Sequence, residues 1–393
     1  MEENLRQKVD ECGEVLKERS VAVDQEGEFP AENFELLHEK GLLALGGGTD
    51  YGGYDAGPGG DYRLFLEVLE EFARACANTA HSFGTHSVAL ATIKEIGTEE
   101  QHAYFTEQVA ENGDVFGFYA TEPEVLKEGT SFAEFDTTAS RVDGGWEVNG
   151  VKGFATNSTY ANYHMVYAIE EGGDMSDIRL LVVEDDADGL TIKDTWDSMG
   201  QRATASGLAE FDGVFVPDDH AIGGPGDISA YAHIPQSFAL IFGMLMTGIA
   251  QSALDFTKWY LENESKPPAN LPSLSHDEQV QLRVGDMRSQ IEAARQLNYW
   301  AGDRLAAFEE DPDLGQEASK AIKIAKVTAA DTSVEAATRM FQVCGARATS
   351  ERYRSGQILR NARTLSLEDI VDKQKGDIAK IELGVESDGG RYG

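Results

Sequence analysis

Residues 199–217 read MGQRATASGLAEFDGVFVP. The glycines and hydroxyl-bearing residues of the first half favour a loop, and the Phe and Val residues of the second half favour a β-strand. Similar strand-like runs, separated by Gly, Asp and Asn, are WEVNGVKGFATN, YHMVYAIE, IRLLVVE and LTIKDTW. Short strands between turn residues predict a compact β-domain, which we place at residues 118–223.

Helical periodicity flanks this β-domain on both sides. In residues 1–117, apolar residues recur at three- and four-residue spacing, as in EFPAENFELLHEKGLLAL, which predicts an N-terminal all-α domain. The same spacing predicts a C-terminal four-helix bundle in residues 224–393, with helices at 229–263, 275–308, 315–344 and 350–363. A proline-rich break, ESKPPANLPSLS, separates the first two of these helices. The expected fold class is therefore α+β, with three domains.

The charge of the chain is strongly acidic. Its 69 Asp and Glu residues stand against 33 Lys and Arg residues, giving a net charge of −36, yet 41% of the residues are hydrophobic. This combination indicates a normal core under an acidic surface and not disorder. Salt would screen the repulsion within that surface, so we expect a halophilic protein of a high-salt cytoplasm. Nucleic acid is not an expected partner, because phosphate binding needs clusters of Lys and Arg.

The cysteines and the apolar segments set further limits. Cys12, Cys76 and Cys344 lie far apart, which gives neither a disulfide framework nor metal-site spacing and fits a reducing compartment. The longest apolar stretch, residues 238–254, contains two glycines, a glutamine and a serine, so we expect a buried helix and no membrane span. No Gly-x-Gly-x-x-Gly motif opens a helix in the glycine-rich residues 46–61, which argues against a dinucleotide-binding fold.

Five stretches in a fixed order carry a family resemblance. They are IGTEEQHAYF (96–105), FYATEPE (118–124), VNGVKGFATNS (148–158), the opening stretch, and the segment from AKVTAADTS to ILRNAR (325–363). Together they resemble the acyl-CoA dehydrogenase flavoprotein superfamily over nearly the whole chain. The resemblance implies FAD bound between the β-domain and the bundle, and usually a homotetramer. It also implies α,β-dehydrogenation of an acyl-CoA, with an electron-transfer flavoprotein as the electron acceptor.

The resemblance also implies where the cofactor and substrate would lie. It places a threonine of the first β-motif against the flavin ring, a second threonine beside the ring, and an aromatic side chain over its face. A flavin needs apolar faces and a few hydrogen bonds, which hydroxyl groups supply without adding charge. The implied flavin contacts are Phe118, Thr121, Ser131, Phe154, Thr156, Gln342 and Gly345, the last two facing the flavin of a neighbouring subunit. The loop residues implied as cofactor or substrate contacts are Arg202 and Ser206.

The stretch RTLSLEDIVDKQ offers two candidates for the catalytic base. An ungapped count from Gln342 through Arg360 places Asp369 on the family's catalytic glutamate, and Glu368 precedes it. The base would remove the α-proton while hydride passes to flavin N5. The Gly-Thr that usually follows the acid is replaced by Ile and Val, and the family's alternative base position falls near Phe238 and Ala239. The base is therefore Glu368 or Asp369, and the sequence leaves the choice open.

Two histidines and several departures from the family pattern widen the alternatives. His81 and His86 lie on one predicted helix, where a hydrogen-bonded structural role is favoured over catalysis. The Arg-x-x-Phe-Gly stretch that helps many dehydrogenases bind FAD is missing. The C-terminal tail resembles two-component flavin monooxygenases, which use reduced flavin and oxygen, although their His-Asp-Pro is Glu368-Asp369-Ile370 here. A dehydrogenase is the first expectation, and a monooxygenase or a catalytically silent family member is the alternative.

Overall fold

The computed structural model describes residues 1–123, 136–224, 227 and 233–385. Its N-terminal domain contains the α-helices α1 (Glu3–Glu26), α2 (Ala31–Glu39), α3 (Tyr62–Ala75), α4 (Ala77–Ile96) and α5 (Glu99–Glu107). Cys76 separates α3 from α4 because its backbone is extended, with φ −149° and ψ 99°. Helix α4 is buried along nearly its whole length and forms the centre of this domain. The expected N-terminal all-α domain is confirmed.

The middle of the chain forms one twisted β-sheet. The described residues contribute β1 (Phe116–Tyr119), β2 (Thr138–Val142), β3 (Gly145–Ala155), β4 (Tyr163–Glu170), β5 (Ile178–Glu184), β6 (Leu190–Lys193), β7 (Gly207–Pro217) and β8 (Ala221–Ile222). The strand order is β6-β7-β3-β2-β4-β5-β8, with β1 parallel to β4. The second half of the opening stretch is thus a strand, as expected, and it pairs antiparallel with β3.

The C-terminal domain is helical, as expected, and holds α6 (His233–Asn263), α7 (Glu278–Glu310), α8 (Gly315–Cys344), α9 (Gly356–Leu365) and α10 (Val371–Leu383). Helix α6 packs against α8, α7 and α3 and so joins the two helical domains. It is long and apolar enough to cross a membrane by length and composition, but 89% of its most apolar window is buried in the fold. It is the buried helix that the sequence predicts.

Two features of the last helices differ from the sequence-based expectation. Helix α9 begins at Gly356 and not at residue 350, because Arg354 adopts a left-handed backbone with φ 52° and ends a short 3₁₀ turn. Helix α10 was not among the four expected helices. Its sequence, VDKQKGDIAKIEL, is mostly polar, and the described residues that it buries, Gln374 and Asp377, are polar too. Apolar periodicity therefore gives little sign of it.

The loop at the start of the opening stretch is fixed between the two helical domains. The backbone N–H of Gln201 donates to Asn361 Oδ1 on α9 at 2.7 Å, and that of Ala203 donates to Asn78 Oδ1 on α4 at 2.9 Å. A Cβ on Gly200 would stand 2.2 Å from a backbone carbonyl oxygen of α9, so this close approach needs glycine. All three domains therefore meet at this loop.

Candidate flavin site

A cluster of buried hydroxyl groups lies where β3 ends and β7 begins. Ala155 and Gly207 are register partners in these antiparallel strands, so the residues just beyond them come together. The Oγ1 of Thr156 lies 3.0 Å from the Oγ of Ser206, which lies 2.8 Å from the Oγ1 of Thr204. The structure thus joins two predicted site residues from separate motifs, Thr156 and Ser206, through one hydrogen bond.

Phe154 presents an exposed aromatic ring two residues before Thr156. Its backbone is left-handed, with φ 51°, and its side chain is 54% exposed. The ring meets Trp196 edge to face, with centroids 6.1 Å apart. A large exposed aromatic residue beside uncharged hydroxyl groups offers both the apolar face and the hydrogen bonds that a flavin ring needs.

Phe118 belongs to a buried aromatic wall on the inner side of the sheet. Its ring meets Phe238 on α6 edge to face at 4.8 Å and Tyr167 on β4 at 5.3 Å. Phe238 is also one of the two residues near which the resemblance places the family's alternative base, and neither Phe238 nor Ala239 is an acid. Phe118 therefore shapes the apolar interior between the sheet and α6.

Thr121 is held to β3 by its backbone, since its carbonyl oxygen accepts from the Gly153 N–H at 2.8 Å. The next residue, Glu122, forms a buried ion pair with Lys152 at 2.7 Å and also accepts two backbone N–H groups at residues 136–137. Burial opposes ionisation of Glu122, but the ammonium and hydrogen bonds outweigh it and lower its pKa. Ser131, another predicted contact, lies outside the described residues.

The acid pair lies in the turn between α9 and α10 and faces a buried lysine. The Nζ of Lys326 on α8 forms an ion pair with Glu368 and lies 3.7 Å from Asp369 Oδ2. Asp369 also accepts the Ile370 N–H at 2.7 Å and the Gln374 side-chain N–H at 2.5 Å. Both oxygens of Asp369 are therefore engaged at the start of α10, and both candidate bases share one ammonium group.

His81 stands next to this acid turn. Its Nδ1 donates to Gln201 Oε1 at 3.2 Å, and its ring meets Phe242 on α6 edge to face at 5.2 Å. Burial lowers the pKa of His81 to about 4, with the Gln201 hydrogen bond and the Glu368 charge acting in the opposite direction. The imidazole is thus neutral near pH 7, with the proton on Nδ1 and a free lone pair on Nε2. His86, by contrast, is buried and bonded through both ring nitrogens to backbone groups.

Gln342 and Gly345 lie apart from the hydroxyl cluster within this chain. The side chain of Gln342 is exposed at the end of α8, and Gly345 ends the helix with φ 74°. Gln342 and Asp369 both line a surface cleft of about 1060 Å³, to which Phe154, Thr156 and Ser206 do not contribute. The contact of Gln342 and Gly345 with a neighbouring subunit's flavin stays a prediction.

Arg202 points away from its loop neighbour Ser206. Its Nε donates to the backbone carbonyl of Asp24 at the end of α1, at 2.8 Å. It lines a second cavity, of about 490 Å³, together with residues of α1 and α9. The structure therefore places the two residues predicted as cofactor or substrate contacts in this loop on different sides of it.

The residues around the hydroxyl cluster fit a flavin. Thr156, Thr204 and Ser206 supply uncharged hydrogen-bonding groups, and Phe154 supplies an exposed aromatic face. Gln201 is 1% exposed, and its Nε2 has no hydrogen-bond acceptor among the described residues. A buried donor without an acceptor suits a ligand rich in acceptor atoms, as the flavin ring is.

Two members of this constellation were not predicted as site residues. Gln201 lies inside the opening stretch, but nothing in the local sequence marks this loop glutamine as a site residue. Its partner His81 lies 120 positions away, and only the fold brings the two together. Lys326 matches a common family position, and a structural salt bridge explains that match equally well. The fold reveals that Lys326 lies within ion-pair distance of both candidate bases, which sequence spacing alone does not show.

Comparison with known proteins identifies the family of the chain. Models of three acyl-CoA dehydrogenase domains match it in succession: the N-terminal domain at residues 1–113, the middle domain at 117–214 and the C-terminal domain at 240–372. The three matches follow the order of the helical domain, the sheet and the second helical domain.

The sequence relatives include flavin-dependent monooxygenases. The chain is 30% identical over 379 residues to "Probable FMNH2-dependent monooxygenase SfnC" of Pseudomonas putida, covering 93% of this chain and 91% of that protein. It is 28% identical over 395 residues to the dibenzothiophene monooxygenase of Rhodococcus qingshengii, covering 93% and 90% of the two chains.

Solved structures show the same fold. FMN-bound TdsC from Paenibacillus sp. A11-2 superposes with a TM-score of 0.88 and 25% identity, covering 96% of each chain. Butyryl-CoA dehydrogenase from Megasphaera elsdenii superposes with a TM-score of 0.84 and 24% identity, covering 98% of this chain and 99% of that one. The chain therefore belongs to the acyl-CoA dehydrogenase superfamily of flavin-dependent oxidoreductases.

Proposed function

We propose that this protein is a monooxygenase that accepts reduced FMN from a separate flavin reductase. It would transfer one atom of molecular oxygen to a small organic substrate and release the other as water. The observation that carries the proposal is the buried ammonium of Lys326 held against both Glu368 and Asp369. The relatedness to an FMNH2-dependent monooxygenase and to FMN-bound TdsC supports it.

Lys326 makes the acid turn a poor base for thioester chemistry. Removing the α-proton of a thioester needs a carboxylate whose proton affinity is raised by an apolar, desolvated site. Both carboxylates are instead held against the ammonium group of Lys326, so neither lies in an apolar site. Asp369 is further held by the Ile370 N–H and the Gln374 amide. A reaction that needs no carboxylate base fits this turn better.

His81 is the group best placed to handle a proton. Gln201 fixes its tautomer, so the lone pair of Nε2 can accept a proton or hold a hydrogen bond. A reduced flavin, when bound, supplies the two electrons that reduce one oxygen atom to water. The chain contributes an imidazole of fixed orientation, which packs edge to face against the Phe242 ring on α6.

FMN is the proposed cofactor in place of the FAD implied by the general resemblance. The Arg-x-x-Phe-Gly stretch that serves FAD in many dehydrogenases is missing from the start of the second bundle helix. A flavin reductase accordingly replaces an electron-transfer flavoprotein as the proposed redox partner. A homotetramer in the cytoplasm, with Gln342 and Gly345 facing a neighbouring subunit's flavin, remains part of the proposal.

Dehydrogenation of an acyl-CoA is the second candidate, because the ungapped count from Gln342 places Asp369 on the family's base. One experiment separates the two. The purified protein is supplied with FMN, NADH, a flavin reductase and ¹⁸O₂, and with dibenzothiophene, the compound named for one of its relatives. We expect a product that is heavier by one ¹⁸O atom, measured by mass spectrometry.

A parallel anaerobic titration with acyl-CoAs of varied chain length tests the second candidate. Bleaching of bound flavin by any acyl-CoA, without ¹⁸O in any product, would overturn the monooxygenase proposal. Replacing His81 by Ala should reduce ¹⁸O incorporation about 100-fold or more, as expected for loss of a proton-transfer group. His276→Ala is the matched control, since the His276 side chain is exposed and its Nδ1 is hydrogen-bonded to the Ser273 hydroxyl group.

A further inference from the structure

The cavity that Arg202 lines has no role in the proposed oxygenation. It has a volume of about 490 Å³ and lies where the end of α1, the loop of the opening stretch and the start of α9 meet. The apolar side chains of Val21 and Met199 share its lining with charged residues. Its size is in the range of pockets that hold a small organic molecule.

The charges around this cavity are opposite in sign to those of the whole protein. Arg202, Arg354 and Arg360 line it, against the acids Asp24 and Glu351. The chain as a whole carries a net charge of −36. The acidic surface of the protein repels anions, so an anion would not bind to it nonspecifically. This cavity carries more guanidinium groups than carboxylates and therefore points to an anionic ligand.

The three arginines are committed to the protein to different degrees. Arg360 is fixed by an ion pair with Asp24 and donates to the Met199 carbonyl at 2.6 Å. Arg354 contacts Glu351 at 2.7 Å. Arg202 uses only its Nε, which donates to the Asp24 carbonyl, and its two Nη groups have no acceptor among the described residues. Arg202 therefore keeps a guanidinium edge available for a ligand.

The start of α9 adds to the positive potential. Gly356 and Gln357, which line the cavity, are the first two residues of this ten-residue helix. The N-terminus of a helix carries partial positive charge and free backbone N–H groups, which favour an oxyanion nearby. The N-terminus of α9 therefore adds to the positive charge of the three arginines.

We propose that this cavity binds a small organic phosphate monoester, with Arg202 and Arg354 as its anchoring residues. A phosphate dianion accepts paired N–H groups from the planar guanidinium fork. The volume leaves room for an organic body against Val21 and Met199, which inorganic phosphate alone would not fill. The ligand would touch all three domains, so its binding should stabilise the folded chain.

Adenosine monophosphate serves as the probe, measured by isothermal titration and by the shift in thermal unfolding temperature at fixed KCl. Adenosine and inorganic phosphate are the comparison ligands. We expect AMP to bind and raise the unfolding temperature, phosphate to bind more weakly, and adenosine to have no effect. Arg202→Gln and Arg354→Gln should each weaken AMP binding at least about tenfold, by loss of a charge-assisted pair.

Arg347→Gln is the matched control, because Arg347 lies in the same arginine-rich segment, pairs with Glu264 and does not line the cavity. It should bind AMP as the unchanged protein does. The proposal would be overturned if AMP did not bind. It would also be overturned if the Arg202→Gln and Arg354→Gln proteins bound AMP as tightly as the unaltered protein does. Equal affinities for phosphate and AMP would overturn the assignment to an organic ligand.

Discussion

At Lys326, 5% of the side chain is exposed, and the ammonium lies within ion-pair distance of Glu368 and Asp369. Its Nζ also lies 5.5 Å from the centre of the Phe242 ring. Removing one member of a buried ion pair leaves uncompensated charge, which costs far more than the pair contributes in net stability. Lys326 therefore holds the acid turn in position against α8.

Lys326→Met should destabilise the fold by about 3 to 5 kcal/mol near neutral pH, because two largely buried carboxylates lose the ammonium group that they share. Urea unfolding at fixed KCl measures the effect. Lys375→Met is the control, since Lys375 pairs with Asp331 at 3.0 Å on the surface and should cost at most about 1 kcal/mol. If the two substitutions lowered the free energy of unfolding equally, the buried ion pair would stabilise the fold no more than the surface pair.

Among the elements, α5 is linked to the end of the β-domain by the side chain of Gln101. Thr98 and Gln101 form a capping box at the start of α5, with Gln101 Oε1 accepting the Thr98 N–H at 2.9 Å. The Nε2 of the same Gln101 donates to the carbonyl oxygens of Asp219 and Ala221, each at 2.9 Å. One residue thus caps a helix and ties it to the end of the β-domain.

Gln101→Ala should cost about 2 to 3 kcal/mol, because a cap is lost and two carbonyl oxygens lose their donor. Thr98→Ala should cost about 1 kcal/mol, since it removes the cap alone. Gln101→Glu tests the two hydrogen bonds to the β-domain, because glutamate can keep the capping box but cannot donate to the carbonyl oxygens of Asp219 and Ala221. Urea unfolding curves compare the three, and wild-type stability of Gln101→Glu would contradict the proposed link to the sheet.

Most elements could be predicted from periodicity, and the exceptions have physical causes. The apolar face of α6 and the β-rich runs of β3, β4, β5 and β7 give strong local signals. Helix α10 lacks such a signal because it buries polar residues. The parallel pairing of β1 with β4 is a contact between segments far apart in sequence, and no local pattern encodes it.

The candidate site was predictable to the extent that it follows motifs. Thr156 and Ser206 lie at the ends of two strands that the sequence predicts, and strand pairing brings them together. The engagement of His81 with Gln201, and of Lys326 with Glu368, depends on how three domains pack against one another. Such contacts follow from the tertiary fold and not from spacing along the chain.

At the scale of the whole molecule, three interior histidines contribute to the acid stability. Burial lowers the pKa of His81, His86 and His164 to about 4 in each case, from an ordinary value of 6.5. Between pH 6.5 and about pH 4, these three imidazoles bind protons in the unfolded chain but not in the folded chain. The free energy of unfolding must therefore fall as the pH falls through this window. The expected halophilic behaviour acts separately, through screening of the acidic surface by salt.

Lowering the pH from 6.5 towards 4 should reduce the free energy of unfolding by up to about 4 kcal/mol per pH unit, about 1.4 for each of the three histidines. Urea unfolding at pH 7, 6 and 5, in constant KCl, measures this slope. Constant KCl keeps the screening of the surface carboxylates fixed, and most carboxylates stay ionised above pH 5. His164→Gln removes one of the three protons and should lower the slope by about one third. His276→Ala, which alters an exposed histidine, should leave the slope unchanged. If the free energy of unfolding of the unaltered protein did not change between pH 7 and 5, these imidazoles would not be kept neutral by burial.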